Sequence, residues 1–211
     1  MYRGEIEKAI TGRDAVLKGR PREFDVDAAL DKALHVFWKH GYEGSSLADL
    51  TEAMGINRPS LYAAFGNKEE LFHRALNRYL DKGPGAAKRE ALEEPTARAA
   101  VERLLKCVAT LLTDPCNPRG CLSVQGALTC GEASESIKQE LNRRRSEGEE
   151  ALRQRLERAK VEGDLAPDAD PAALARYIST ITQGMSVQAA GGASREDLLR
   201  VADMALKAWP G

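Results

Sequence analysis

The stretch GYEGSSLADLTEAMGINRPSLYAAFGNKEEL, residues 41 to 71, admits few folds, because glycines cut its apolar periodicity into pieces only a few turns long. Ser46 followed by Leu47, Leu50 and Met54 reads as a capped helix with one apolar face, and Asp49 at its third position comes close to completing a capping box. Gly55 ends that helix. Asn57 is placed to cap a second one, Pro59 falls in the first turn where no N–H is required, and Leu61 and Phe65 lie four residues apart on one side. Gly66 and Asn67 stop it. Two helices joined by a turn of about three or four residues containing glycine form a helix-turn-helix, whose second helix enters the DNA major groove with its N-terminal residues toward base edges.

The rest of the chain reads as helix after helix, an all-α fold without strand pattern, repeat or low-complexity tract. A helix from about Asp25 to His40 aligns Val26, Leu30, Ala33, Leu34 and Phe37, and one from Lys68 to about Asp81 aligns Leu71, Phe72, Ala75, Leu76 and Tyr79. Gly83-Pro84-Gly85 predicts a kink or break. Further helices are predicted over Thr96 to Leu112, Cys121 to Cys130, Ser134 to Glu162, Pro171 to Ala190 and Ser194 to Trp209, with loops at 114–120 and 163–170. The expected organisation is an arm over 1–24, a helix-turn-helix DNA-binding domain over 25–80 and a larger helical effector-binding and dimerisation domain over 81–211.

A net charge of −1 over 211 residues gives no global basic field, and residues 1 to 80 hold twelve basic against twelve acidic side chains. DNA affinity then needs a local basic face, supplied by paired subunits. No run of about 20 apolar residues exists to span a membrane, and the N-terminus lacks a signal-peptide core, so a cytoplasmic location is expected.

The motif segment resembles the N-terminal domain of TetR-family transcriptional regulators. The resemblance rests on Gly41-Tyr42, Ser45-Ser46, Leu50, Ala53-Met54-Gly55-Ile56, Ser60-Leu61-Tyr62, Phe65 and Lys68-Glu69-Glu70-Leu71, and covers roughly residues 20 to 80. It implies a ligand-responsive repressor that binds a near-palindromic operator as a homodimer and is released by a small molecule in the C-terminal helices. Arg58 and Ser60, with the capping Asn57, lie where side chains reach base edges or phosphates, Arg being suited to guanine; a solvated arginine is the alternative. Tyr62 resembles the family tyrosine that touches a phosphate, with core burial as its alternative, and Lys68 the family lysine at the DNA backbone, with solvation as its alternative. Ser45 and Ser46 hold a phosphate at a helix N-terminus or serve as caps. Arg20 and Arg22 reach the neighbouring minor groove as a flexible arm or belong to a simply disordered charged terminus.

Dimerisation, by the same resemblance, pairs the last two helices with those of a second subunit, through Ile181, Met185, Leu198, Ala202 and Leu206. The apolar candidates for a ligand pocket are Leu104, Val108, Leu111, Leu122, Val124, Leu128, Ile178 and Ile181; the polar ones are Gln125, Thr129, Tyr177 and Gln183. All are equally explicable as ordinary core.

Cys107, Cys116, Cys121 and Cys130 lack the close pairing of a zinc site, so no metal and no cofactor is expected. Reduced thiols packed as small hydrophobes are the default, with Cys116 and Cys121 across a Pro-rich loop as a thiol sensor in the alternative. No phosphate loop, nucleophile elbow or His-Glu-x-x-His is present, so an enzyme is not expected. A helical adaptor without DNA binding is the remaining alternative.

Overall fold

Caps decide where most of these helices begin. In the computed structural model, which describes residues 24–210, α1 spans Val26–His40 and starts at Asp25, whose carboxylate accepts hydrogen bonds from the Asp27 and Ala28 amides at 2.9 and 3.2 Å. Helix α2 (Leu47–Met54) opens on a full capping box: Ser46 Oγ accepts from the Asp49 amide, and Asp49 accepts from the Ser46 amide. Helix α3 (Arg58–Phe65) is capped by Asn57, and α4 (Lys68–Lys82) by an Asn67–Glu70 box.

Gly83 breaks the chain at the predicted place, but a further helix that the sequence reading did not anticipate follows at once. Helix α5 (Pro84–Leu92) begins on a proline, whose fixed φ suits a first turn and whose missing N–H is not needed there. A side chain at Gly85 would put its Cβ 2.1 Å from the Leu80 carbonyl oxygen, so only glycine allows so tight a junction. Helices α6 (Ala97–Leu112), α7 (Leu122–Thr129), α8 (Glu135–Val161), α9 (Pro171–Ala190) and α10 (Arg195–Lys207) complete the described chain, with one 3-10 turn at Glu132–Ser134.

Two apolar cores result. The first joins α1 to α4 around Phe37, Leu61, Phe65 and Phe72, and its wall includes Leu122 and Ala127 from α7 and Ile137 and Leu141 from α8. The second holds α5, α6, α9, α10 and the C-terminal half of α8, around Leu105, Leu156, Ile178 and Leu198. Each large apolar side chain so buried contributes roughly 1.5–3 kcal/mol. Arg155, itself buried, donates to the Leu92 and Glu94 carbonyls at 3.0 and 2.8 Å and satisfies the end of α5.

Helix α4 ties α1, α3 and α8 together. Arg78 donates to Asp27 at 2.6 Å and to both oxygens of Asp31, fixing α1; Arg74 donates to the Ala64 carbonyl at 3.0 Å, fixing the end of α3. From the other side Arg144 on α8 donates to Asn77 at 2.6 Å. No helix among the described residues is long and apolar enough to cross a membrane.

Candidate nucleic-acid interface and the cavity behind it

The turn between α2 and α3 is set by Gly55, which adopts the left-handed conformation at φ 69°, ψ 32°, while the Ile56 amide bonds back to the Thr51 carbonyl at 3.1 Å. Asn57 Oδ1 then accepts from the Ser60 amide at 2.8 Å and starts α3. With Leu61, Ala64 and Phe65 turned into the core, the outward face of α3 consists of Arg58, Pro59, Tyr62 and Ala63. Arg58 and Tyr62 sit one turn apart on it, and Tyr62 is 49% exposed, against its alternative of core burial. Ser60 is half-buried beside them.

Lys68 opens α4 with its ammonium 4.4 Å above the Tyr42 ring centroid, and Tyr42 in turn packs edge-on against Phe72 at 5.3 Å. Partial burial holds the Lys68 pKa below its ordinary value, offset by the nearby Glu43. Ser46 stays exposed as the α2 cap. Ser45 is a correction: it is fully buried, and its hydroxyl donates to the Gly41 carbonyl at 2.7 Å, so it closes the α1–α2 turn rather than facing a phosphate. Arg20 and Arg22 lie outside the described residues.

Behind this head, Tyr79 and Leu80 of α4 form part of the wall of a cavity of about 330 Å³ between α4, α5, α6, α8 and α9. Of the pocket residues read from sequence, Leu104, Val108, Leu111, Val124, Ile178 and Gln183 line it. Leu122, Gln125 and Thr129 instead border a separate hollow of mixed character between the end of α1 and the 115–119 loop. Leu128 is 68% exposed and Tyr177 41%, so both face out from the body, not inward.

The cavity also holds groups that the sequence reading missed. Cys121 lies at its edge, its sulfur 3.3 Å from the donating Tyr79 hydroxyl, and Lys88 reaches in from α5. Burial, with the neighbouring Cys121, pushes the Tyr79 phenol well up. Neither was findable without α5 and the fold of the 113–121 loop. The four cysteines are free thiols, Cys116 exposed and Cys107, Cys121 and Cys130 partly buried.

The residues proposed from sequence for a subunit seam need the same correction. Met185, Leu198, Ala202 and Leu206 are buried in the second core of their own chain, and Ile181 packs against it. The apolar side chains that α9 and α10 leave uncovered are Tyr177, Val187, Val201 and Met204.

This architecture has close counterparts. The model of the tetR family of bacterial regulatory proteins matches residues 29–75, and the tetracyclin repressor-like C-terminal domain matches residues 97–203. The HTH-type transcriptional repressor ComR of Escherichia coli (strain K12) is 42% identical over 196 residues, 92% of each chain. The HTH-type regulator YezE of Bacillus subtilis (strain 168) is 34% identical over 163 residues, 76% of this chain and 84% of that one. Among solved structures, a cysteine mutant of the TetR-family regulator CifR in complex with a 26-base-pair operator is 48% identical and superposes with a TM-score of 0.88, covering 91% of this chain and 100% of that one. With helix-turn-helix, α4 linker and C-terminal bundle all matched along most of its length, the chain belongs to the TetR family of bacterial transcriptional regulators.

Proposed function

We propose that the protein is a ligand-responsive repressor that binds a near-palindromic operator as a homodimer. Residues 25–80 act as the reading head, preceded by an arm over 1–24, and 81–211 carry effector and partner. The observation that carries this reading is the exposed face of α3, where Arg58 and Tyr62 project side by side from a helix whose opposite face is locked into the core. Asn57, Arg58, Ser60 and Tyr62 address the major groove and the phosphates beside it, while Ser46 and Lys68 address the flanking backbone. One α3 reads only a few base pairs, so two are needed, and the uncovered apolar side chains of α9 and α10 supply a self-complementary surface for a second copy. The likeness to an operator-bound relative supports the same mode of use.

Release follows from where the cavity lies. A ligand against Tyr79 and Leu80 bears on α4, which holds α1 through Arg78 and α3 through Arg74. A coupling of about 1–3 kcal/mol between cavity and operator suffices to lower DNA affinity by some 5- to 150-fold. The test is titration of DNA from the gene's own upstream region against a scrambled duplex at fixed salt. Selective binding that collapses in the Arg58→Ala, Tyr62→Ala double variant supports the reading; equal weak binding to both duplexes and to a genome-wide pool of fragments sinks it.

A further inference from the structure

The cavity lining carries positive charge that the chain does not neutralise. Lys88, Arg89, Arg144 and Arg145 stand there against Glu147 and Glu149. Glu149 pairs with Arg176 at 2.6 Å, outside the lining, and Glu147 pairs with Arg143 and, at 4.0 Å, with Arg144. Arg144 has its own counter-ion in Glu140 at 2.8 Å. The other three cations find only neutral acceptors among the described residues: the Gly148 carbonyl for Lys88, the Asp81 carbonyl for Arg89 and the Asn142 side chain for Arg145.

Lys88 lies against the apolar wall that Leu104, Val108 and Ile178 build. Its ammonium rests on the backbone of α8 at a point where a side chain would intrude: a Cβ on Gly148 would lie 2.9 Å from Nζ. Burial lowers its pKa to about 8, with Glu149 too weakly coupled to restore it. A partly buried ammonium with no direct ion pair among the described residues is unfavourable, and a chain that keeps one beside an apolar surface has left a place for an anion with an apolar body. A neutral amphiphile leaves the charge uncompensated, and a cationic one is repelled.

We infer that the cavity takes a small organic acid, its carboxylate on the Lys88 ammonium and its apolar part between Leu104, Val108 and Ile178. The volume of about 330 Å³ is near the lower end of the range for small-molecule sites, which favours a short acyl or single-ring acid over a long lipid. That such an acid is also the signal for DNA release rests on the regulator reading above.

The experiment is calorimetric titration of the full-length protein with straight-chain carboxylates from butanoate to decanoate and with benzoate and phenylacetate, each paired with its uncharged primary amide. At least one acid is expected to bind about tenfold or more tighter than its amide, the margin of a charge-assisted hydrogen bond. Lys88→Met and Lys88→Gln, each checked for an unchanged melting curve, should erase that margin, Lys88→Arg should retain it, and Val108→Phe should weaken acid and amide alike. Absence of acid binding, equal binding of acid and amide, or a margin that survives in both neutral variants overturns the inference. Operator titration on the same samples separates the two readings. Selective operator binding without acid binding removes only the organic-acid assignment, whereas acid binding at Lys88 in a protein that ignores every operator removes only the regulator reading.

Discussion

Lys68 and Glu140 show how the meaning of a charged residue depends on what surrounds it. Lys68 pairs with no carboxylate within the described chain and sits over an aromatic face, poised toward whatever lies beyond the head. Lys68→Met should therefore weaken operator binding across all sequences and flatten its dependence on log salt by about 0.9 per subunit, read from titrations at several ionic strengths. Glu140 works inward. The Arg143 guanidinium beside it, and then Arg144, hold its carboxyl down to about 2 against an ordinary 4.5. Its pKa is lower folded than unfolded, so the stabilisation is complete above pH 4.5 and drains away as the pH falls toward 2. In urea melts at pH 7 and pH 3, Glu140→Gln should lose about 1 kcal/mol at the higher pH, discounted for the solvent around its partners, and less than half of that at the lower. Other depressed carboxylates, Asp31 among them, titrate the same way in both proteins and cancel in that comparison.

Among the elements, α5 is the most sharply constrained. Gly85→Ala drives a Cβ into the backbone of Leu80, where nothing flexible can yield, and should destabilise the fold by about 1–3 kcal/mol in denaturant melts despite alanine's better helix propensity. The sequence announced a break at Gly83 but concealed the helix after it, because Gly-Pro-Gly reads as punctuation until Pro84 is seen as a first-turn residue. Elsewhere helix limits were legible, since Asp25, Ser46, Asn57, Thr96, Asp170 and Ser194 are side chains that bond the first free amides. The outward face of α3 was legible for the same reason: its inner positions are unmistakably apolar. What stayed hidden was which side of a two-faced helix meets its own core. Helices α9 and α10 are apolar on more than one side, and spacing alone does not say that Leu198 faces inward while Val201 faces out. Ser45 was hidden too, because its partner is a carbonyl that only the α1–α2 turn brings near.

At the scale of the whole molecule, the proposed dimer rests on the uncovered side chains of α9 and α10. Val201→Glu with Met204→Glu should leave the subunit folded, because both positions are exposed, yet yield monomers in sedimentation and reduce operator affinity by two orders of magnitude or more. Leu198→Glu differs in kind, since it places a charge in the core and should prevent folding. The two cores also share a boundary, because Leu122, Ala127, Ile137 and Leu141 from the C-terminal helices complete the first one. Movement of the bundle is therefore felt by the head through direct packing as well as through α4. Trp38 stands at that boundary: its indole donates to the Gly120 carbonyl at 3.0 Å, and its ring meets Tyr79 edge-on at 4.7 Å, on the helix that walls the cavity. The chain has only two tryptophans, and the other, Trp209, is sealed in the second core. With Trp209 replaced by phenylalanine, the intrinsic emission of Trp38 becomes a label-free optical readout of the seam between cavity and head, able to follow in real time whether filling the cavity disturbs the contact on which the head is seated.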